Sequence, residues 1–369
     1  MKIQIKKEEL QKGIQIVQNI ITPKNILPIL SNILIETTKN KVKLTSTDLD
    51  MGIAILLDAN IEEAGSITLP AKKLSDIIKE LPEGEVMISV KKNNVVHIRL
   101  ETCEFKLMGL SAEEFPKLPS FKDKEVIEID QVILKEMLHL TVFSVSHEET
   151  RYVLNGLLLE LKKHAHKDNF MMKLVATDGR RLALVEKSLE TKLAKELKII
   201  IPHKTIIELL RNLQDDGKIQ IVVATNQVFF ELNNIIVISR LIEGEFPDYS
   251  RVIPPPADIK IKADRQQLLQ AIRRASLFTT PDSLAIKLEL SANKLVVSKS
   301  TPDVGESREE VGVEYSGKDM IIGFNPNYVV DVLRNLSGAF VELELVAPEK
   351  PGVIRTEDYV YLVQPMRLV

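Results

Sequence analysis

The chain has 369 residues, a formal net charge of −3 and 44% hydrophobic residues, with no tryptophan. This length suits two or three domains with ordinary apolar cores. The net charge, taken alone, argues against binding to nucleic acid. It does not show, however, how the charges are distributed over the surface. The single cysteine, Cys103, excludes an internal disulfide and favours a reducing compartment.

The N-terminal segment MKIQIKKEEL alternates charged and apolar residues and lacks the apolar core of a signal peptide. No apolar run approaches the ~20 residues that a membrane-spanning helix needs. We therefore expect a soluble, cytoplasmic protein.

Two helix patterns each recur three times along the chain. In chain order, the six patterns begin near Ile5, Leu69, Ile129, Ile201, Ala263 and Phe324. The copies of the first pattern align without gaps, so that Leu10, Leu134 and Leu268 coincide. The same elements in the same order three times indicate three copies of one structural unit.

Each second helix pattern leads into a strand with period-two alternation, at 85–90, 218–223 and 340–345. Such alternation is typical of a sheet with one buried face. The predicted strands are joined by short turns, which favours antiparallel pairing. We therefore predict an α+β fold of three repeated domains, each with two helices packed on antiparallel sheets. The predicted domains are 1–122, 126–253 and 257–369.

The six helix patterns together are mildly basic, whereas the rest of the chain is acidic. A mildly basic surface can lie close to DNA phosphates but binds them only weakly. A solvated face on amphipathic helices explains the same charge. Because the chain has no base-reading motif and no aromatic platform for single strands, any DNA contact is expected to be to phosphates.

Catalytic and cofactor motifs are missing from the chain. It contains no phosphate-binding glycine loop, no H-E-x-x-H and no paired C-x-x-C. His164 and His166 form an H-x-H, for which a solvated hairpin loop is expected rather than a metal site. His147 beside Glu148 and Glu149 could act in acid–base chemistry, but no nucleophile accompanies it. We expect no enzymatic activity, no cofactor and no metal.

Thr177-Asp178-Gly179 resembles a phosphate-binding turn, but Thr47-Asp48 stands at the same place in the first repeat. A feature that repeats with the scaffold is expected to be structural. We predict that Asp178 accepts hydrogen bonds from backbone donors in a turn.

Seven segments spread over the whole chain carry a more specific signal. They are LPILSNILIE at 27–36, STDLDM at 46–51, ETRYVLNGLLLEL at 149–161, VATDGRRLAL at 175–184, LIEGEFPDYSRVIP at 241–254, GFNPNYVVDVL at 323–333 and YLVQPMRLV at 361–369. Together they resemble the beta subunit of bacterial DNA polymerase III, the sliding clamp family.

The resemblance implies a head-to-tail homodimer whose six domains close a ring around double-stranded DNA, with the helices lining the hole. Such a ring tethers the replicative polymerase without reading sequence and is opened by a separate clamp loader. By family position, Phe105 and Leu107 would meet Leu277 and Phe278 of the partner. The alternative is that these four are core residues.

The resemblance also implies a groove for a short peptide of the Gln-Leu-x-Leu-Phe type, carried by the polymerase, the clamp loader and other partners. Apolar groove residues would receive the leucines and phenylalanine, and arginine and asparagine would fix the peptide's polar groups. The matching positions are Leu154, Thr177, Gly179, Arg180, Leu182, Pro247, Arg251, Val252, Asn325, Tyr328, Val363, Pro365, Met366, Arg367 and Leu368. Departures from the commonest family pattern at Arg180, Gln364, Glu245 and Val153 bear on peptide preference.

For DNA, the resemblance points to Lys12, Lys24, Lys72, Lys73, His147, Tyr152, His203 and Lys204. Each lysine is equally well explained as plain surface. Three alternatives to the clamp stay open on sequence alone. They are a DNA-binding protein that forms no ring, a protein-interaction hub without a DNA role, and an enzyme on the same scaffold.

Overall fold

The structure is a computed structural model, and it describes residues 1–21, 27–119, 125–163, 169–189 and 195–368. Within these residues it contains six α-helices. They are α1 Lys7–Gln18, α2 Ala71–Glu80, α3 Gln131–His139, α4 His203–Asn212, α5 Arg265–Ser276 and α6 Pro326–Asn335.

The strands of the described residues fall into three groups that follow the sequence repeats. The first group is β1 Lys2–Lys6, β2 Asn32–Thr38, β3 Lys41–Thr47, β4 Met51–Asp58, β5 Asn60–Glu63, β6 Ser66–Pro70, β7 Glu85–Val90, β8 Val95–Leu100 and β9 Cys103–Met108. The second group is β10 Val126–Asp130, β11 Gly156–Lys163, β12 Phe170–Thr177, β13 Arg181–Leu189, β14 Leu197–Pro202, β15 Lys218–Val223, β16 Gln227–Leu232 and β17 Ile235–Arg240. The third group is β18 Ile261–Asp264, β19 Ile286–Ser291, β20 Lys294–Thr301, β21 Gly305–Glu314, β22 Met320–Phe324, β23 Phe340–Glu344, β24 Gly352–Arg355 and β25 Tyr359–Val363.

The chain divides into two compact units. Unit 1 consists of Met1–Leu134 and Lys204–Leu241, and unit 2 of Lys135–His203 and Ile242–Val369. Among its described residues, unit 1 holds a five-stranded sheet in the order β5-β1-β7-β8-β9 and an eight-stranded sheet in the order β10-β15-β16-β17-β4-β3-β2-β6. The described part of unit 2 holds a twelve-stranded sheet in the order β14-β11-β12-β13-β25-β24-β23-β18-β21-β20-β19-β22.

Amphipathic periodicity places the cores between helices and sheets. In unit 1, α1 buries Leu10, Ile14 and Val17, which recur at helical spacing on one face. This face packs against β3 and β4. In unit 2, α5 and α6 pack on each other, and α5 packs against β20 and β21. The opposite faces of these helices remain exposed and carry the charged residues.

The predicted antiparallel pairing is confirmed for the named strands of the described residues. The alternating segments predicted at 85–90 and 218–223 are β7 and β15, and the third ends one residue earlier, at Glu344. The helix pattern that begins near Ile129 corresponds to α3, which ends at His139. There the Thr141 hydroxyl donates to the backbone oxygen of Met137, and a 3-10 turn follows. None of the helices in the described residues is long and apolar enough to cross a membrane.

Candidate peptide-binding groove and DNA-facing residues

A buried apolar cluster in unit 2 forms the floor of the candidate groove. Its members are Leu154, Leu158, Val175, Leu182, Leu184, Ile200, Ile242, Phe246 and Leu362. Val153, Tyr249 and Ile253 pack against this cluster and are only partly buried. An apolar floor whose edge is still open to solvent can receive the apolar side chains of a ligand.

The turn between β12 and β13 forms one wall. Thr177 Oγ1 donates to the backbone oxygen of Arg181 at 2.6 Å and accepts from the backbone N–H of Gly179 at 3.0 Å. Asp178 Oδ1 accepts from the backbone N–H groups of Arg180 and Arg181 at 2.8 and 3.0 Å. The prediction that Asp178 satisfies backbone donors in a turn is therefore confirmed. Asp48 accepts from Asp50 and Met51 in the same way in the first repeat.

Gly179 occupies the left-handed region of backbone conformation, with φ of +84°. An added Cβ there would lie 2.2 Å from Nη1 of Arg151. That same nitrogen donates to the backbone oxygen of Asp178 at 2.5 Å. Arg151 therefore supports the turn through its hydrogen bond to Asp178, and a Cβ at position 179 would displace its guanidinium.

Arg181 fastens this turn to α6. Its Nε donates to Asp178 at 3.1 Å and its Nη1 to Asp331 at 2.6 Å. The guanidinium also lies 4.4 Å from the ring centroid of Tyr328, a cation–π geometry. Burial opposes the charge, but the hydrogen bond to Asp331 and the nearby carboxylates outweigh it, and the pKa of Arg181 is raised. The predicted groove residue Tyr328 is thus fixed beside the turn.

The segment after Phe246 forms a second wall. The Tyr249 hydroxyl donates to Glu160 Oε2 at 2.7 Å. Burial and this hydrogen bond raise the pKa of Tyr249, so the hydroxyl stays protonated and keeps donating. Asp248 caps the 3-10 turn Tyr249–Val252 through the Ser250 N–H. This turn presents Arg251 and the half-exposed Val252 at the rim of the groove.

The C-terminal segment forms the third side. Val363 pairs with Arg181, and the N–H of Gln364 donates to the backbone oxygen of Arg180 at 2.8 Å. The N–H of Met366 then donates to the backbone oxygen of Gly323 in β22 at 2.8 Å. A Cβ on Gly323 would lie 2.6 Å from the backbone oxygen of Met366, so this docking requires glycine.

The structure brings most of the predicted groove residues together in unit 2. Leu154 and Leu182 belong to the apolar cluster, and Thr177, Gly179 and Arg180 to the turn beside it. Met366 and Leu368 lie apart from the cluster, in a cavity of about 380 Å³ along β22. Asn325 is buried and caps α6 by accepting from the Asn327 N–H at 3.0 Å.

Four residues that hold this site together were not predicted from the sequence: Arg151, Glu160, Arg181 and Tyr249. Each acts through a partner distant in sequence, as Tyr249 does with Glu160. The only local signal was that all four residues stand inside the segments that carried the family resemblance.

The predicted DNA-facing residues lie on both units, except Lys24, which lies outside the described residues. In unit 1, Lys12 is exposed on α1, and Lys72 and Lys73 are exposed on α2, which packs against α1. Lys204, on α4, forms an ion pair with Asp48, which offsets its charge.

In unit 2, the rings of His147 and His203 meet edge to face with centroids 4.8 Å apart. Burial and the neighbouring His147 lower the pKa of His203. Tyr152 is 59% exposed. The described residues contain no group of three or more His, Cys, Asp or Glu that could hold a metal ion, and the H-x-H of His164 and His166 lies outside them.

The predicted dimer residues lie within β9 and just after α5, and of the four only Leu277 is fully exposed. Phe105 and Leu107 lie on β9, which pairs only with β8 among the described strands. Leu277, just after α5, is 76% exposed. The backbone oxygen of Phe278 accepts from Thr301 Oγ1 at 2.6 Å, which holds it beside the β20–β21 hairpin.

Comparisons with known proteins agree with this architecture. Residues 1–119, 128–248 and 250–367 match the models of the N-terminal, central and C-terminal domains of the DNA polymerase III beta subunit. The beta sliding clamp of Salmonella typhimurium is 33% identical, over all of this chain and all of that protein. The beta sliding clamp of Chlamydia muridarum is 30% identical over all of this chain and 99% of that protein.

Two solved structures are similar over the full length of both chains. The DNA polymerase sliding clamp of Bacillus subtilis has a TM-score of 0.94 and 32% sequence identity. The sliding clamp of Bartonella birtlesii bound to griselimycin has a TM-score of 0.94 and 33% sequence identity.

The three α+β repeats and these matches define the class of protein as a DNA sliding clamp. The predicted fold class and the predicted function are thereby confirmed. The chain belongs to the DNA polymerase III beta subunit family. Members of this family are non-enzymatic processivity factors that bind DNA and polymerase.

Proposed function

We propose that two copies of this chain join head to tail into a closed ring that slides on duplex DNA in the cytoplasm. The ring would consist of two copies of the domains 1–122, 126–253 and 257–369. A closed ring needs no tight contact with DNA, because it leaves only when an interface opens. Partners held on the ring then re-engage DNA at a high effective concentration.

The observation that carries the dimer is a pair of open strand edges, one in each unit. Among the described strands, β9 pairs on one side only, and residues 305–312 of β21 pair only with β20. An open edge invites pairing with another chain, and a two-fold head-to-tail arrangement pairs both kinds of edge. Phe105, Leu107, Leu277 and Phe278 are proposed to pack across that interface.

The groove in unit 2 is proposed to bind the short peptide carried by the polymerase, the clamp loader and other partners. Support comes from its apolar floor, its fixed turn and the docked C-terminal segment. Lys12, Lys24, Lys72, Lys73, His147, Tyr152, His203 and Lys204 are proposed to face DNA. Since Lys204 is paired with Asp48, its contribution should be the smallest among the lysines.

Two variants separate these proposals. Leu277→Asp should sediment as a monomer and still bind a labelled Gln-Leu-Ser-Leu-Phe peptide, because a buried carboxylate is not tolerated in an apolar interface. Deletion of residues 366–369 should keep the dimer and abolish peptide binding. Val126→Asp, the same kind of change at an exposed valine of β10, is the control and should alter neither property. A dimeric Leu277→Asp would overturn the proposed interface, and unimpaired peptide binding by the truncated chain would overturn the proposed groove.

A further inference from the structure

A second apolar groove lies in unit 2, beside Met320 at the start of β22. It has a volume of about 620 Å³, and its lining includes Pro255, Pro256, Ile259, Met320 and Val346. Ile259 is 49% exposed and Val346 is 64% exposed. We call it the proline groove. Adjacent exposed apolar side chains on a protein surface mark a binding site for another protein or a ligand.

The walls of the proline groove are held by hydrogen bonds, so that it is formed before any ligand arrives. Arg355 Nη2 donates to the backbone oxygen of Pro254 at 2.9 Å. The buried Glu344 accepts from the Ala257 N–H at 3.4 Å and from Arg355 Nε at 3.4 Å. On the opposite wall, the Tyr315 hydroxyl donates to the backbone oxygen of Lys318 at 2.7 Å. A preformed groove loses little conformational entropy when a ligand binds to it.

The proline groove lies next to the cavity lined by Met366 and Leu368, two of the predicted peptide-groove residues. The cavity that holds Met366 and Leu368 is also lined by Ile321 and Pro348. The proline groove is lined by the adjoining residues Met320 and Lys350. The turn at 347–350, closed by a hydrogen bond from the Lys350 N–H to the Ala347 oxygen at 3.0 Å, is the ridge between the two. A chain that leaves the peptide groove over this ridge enters the proline groove.

The chemistry of the lining specifies the ligand. Flat proline faces beside aliphatic side chains suit an aromatic ring. The exposed charged residues of the lining are Lys318 and Lys350 against Asp258, a net positive rim. The two hydrogen bonds to Glu344 are long, which leaves its carboxylate able to accept from an indole N–H or a phenol O–H.

We infer that the proline groove binds the partner segment that flanks the clamp-binding peptide, and that this segment carries a tryptophan or tyrosine next to acidic residues. The inference rests on the proposed peptide groove. The second contact would distinguish partners that share the same short peptide, since affinity would depend on what flanks it.

The test measures the binding of fluorescent core, extended and control peptides to the dimeric full-length protein. The core peptide is Gln-Leu-Ser-Leu-Phe. The extended peptides carry Trp-Asp-Asp at either end, through Gly-Ser linkers of about two to eight residues. The control peptides replace Trp-Asp-Asp by Gly-Ser residues. We expect one extended series to bind about tenfold more tightly than the core peptide, and the control series to show no gain.

The protein variants are Val346→Asp and Ile259→Asp, with Val126→Asp as the matched control. Both groove variants should lose the gain of the extended peptide and keep wild-type affinity for the core peptide, which also shows that they are folded. Replacing the extension tryptophan by a photo-reactive phenylalanine analogue should give cross-links to residues 254–259 or 346–351.

Equal affinity of core and extended peptides for the wild-type protein would overturn the inference and leave the peptide groove standing. A gain that survives in both variants, or cross-links confined to other surfaces, would overturn it too. A core peptide that does not bind at all would instead contradict the proposed peptide groove and remove the basis of the inference.

Discussion

The guanidinium of Arg181 and the carboxylate of Asp331 are joined by a hydrogen bond of 2.6 Å between Nη1 and Oδ2, across 150 positions of sequence. The bond connects the turn after β12 to α6, two elements that carry groove residues. The Arg181 side chain is only 9% exposed, whereas that of Asp331 is 32% exposed. The cation is therefore the group that depends on its partner, because a buried charge without a counter-charge is costly.

Asp331→Ala should destabilise unit 2 because it leaves the buried Arg181 with one carboxylate fewer. We expect a loss of about 2 kcal/mol, less than for a fully buried pair because Asp331 is partly exposed. Urea denaturation followed by circular dichroism measures it. Asp76, at the equivalent place in the first repeat and exposed on α2, gives the control. Asp76→Ala should change stability by less than about 0.5 kcal/mol, and equal losses in the two variants would contradict this account.

Gly179→Ala should weaken peptide binding by about tenfold or more. Alanine is strained at φ of +84°, and its Cβ would displace Arg151 from the turn. Fluorescence polarisation with the core peptide measures the affinity. Wild-type affinity would mean that this turn is not part of the peptide groove.

The first repeat supplies the reciprocal control for Gly179. Leu49 occupies the equivalent turn position with φ of +78° and is 49% exposed. Leu49→Gly should change stability by less than about 1 kcal/mol, because relief of the left-handed leucine is offset by the loss of its half-buried side chain and by the greater entropy of glycine in the unfolded chain. Peptide affinity should not change.

Tyr249→Phe should lower the stability of the segment that carries Arg251 and Val252. It removes a hydrogen bond to the buried carboxylate of Glu160, worth about 1.5–3 kcal/mol, and retains the ring that packs on the apolar cluster. Hydrogen exchange of residues 247–253 should become faster. In a Glu160→Gln background the same change should cost less, because the charged acceptor is absent. No cost in either background would show that Tyr249 acts through its ring alone, and equal non-zero costs would show that its hydroxyl does not depend on the charge of Glu160.

His203→Gln should reduce the loss of stability on acidification. Burial and His147 lower the pKa of His203 in the folded state, whereas the unfolded chain titrates near ~6.5. The stability that His203 contributes is therefore present above that pH and is lost as the pH falls through the lowered folded value. Urea midpoints at neutral pH and at about pH 5 measure the difference. His139, whose pKa is also lowered by burial and by Lys135, remains in both proteins, and an unchanged pH dependence in the variant would assign the effect to it.

Local patterns predicted much of the fold. Helix and strand periods located α2, β7 and β15 to within about two residues, because burial of one face is a property of a short segment. The predicted role of Asp178 was correct for the same reason, since an aspartate in such a turn satisfies donors two and three residues ahead.

Pairings between distant segments were not predictable in this way. Nothing in either segment of the sequence indicates that β4 pairs with β17 or β13 with β25, so that sheets run from one repeat into the next. The partners of Arg181 and Tyr249 lie on other elements. The sequence around a charged or phenolic side chain does not indicate which distant residue it will contact. The left-handed Leu49 was missed because leucine does not signal a positive φ.

The central claim is that the protein is held on DNA by topology. Its most direct test is retention on a nicked circular plasmid after loading by a clamp loader, before and after the circle is linearised. A closed ring should stay on the circle at moderate salt and leave once ends exist, because its phosphate contacts are weak. Retention that is unchanged by linearisation would show that contacts alone hold the DNA, and would contradict the ring mechanism.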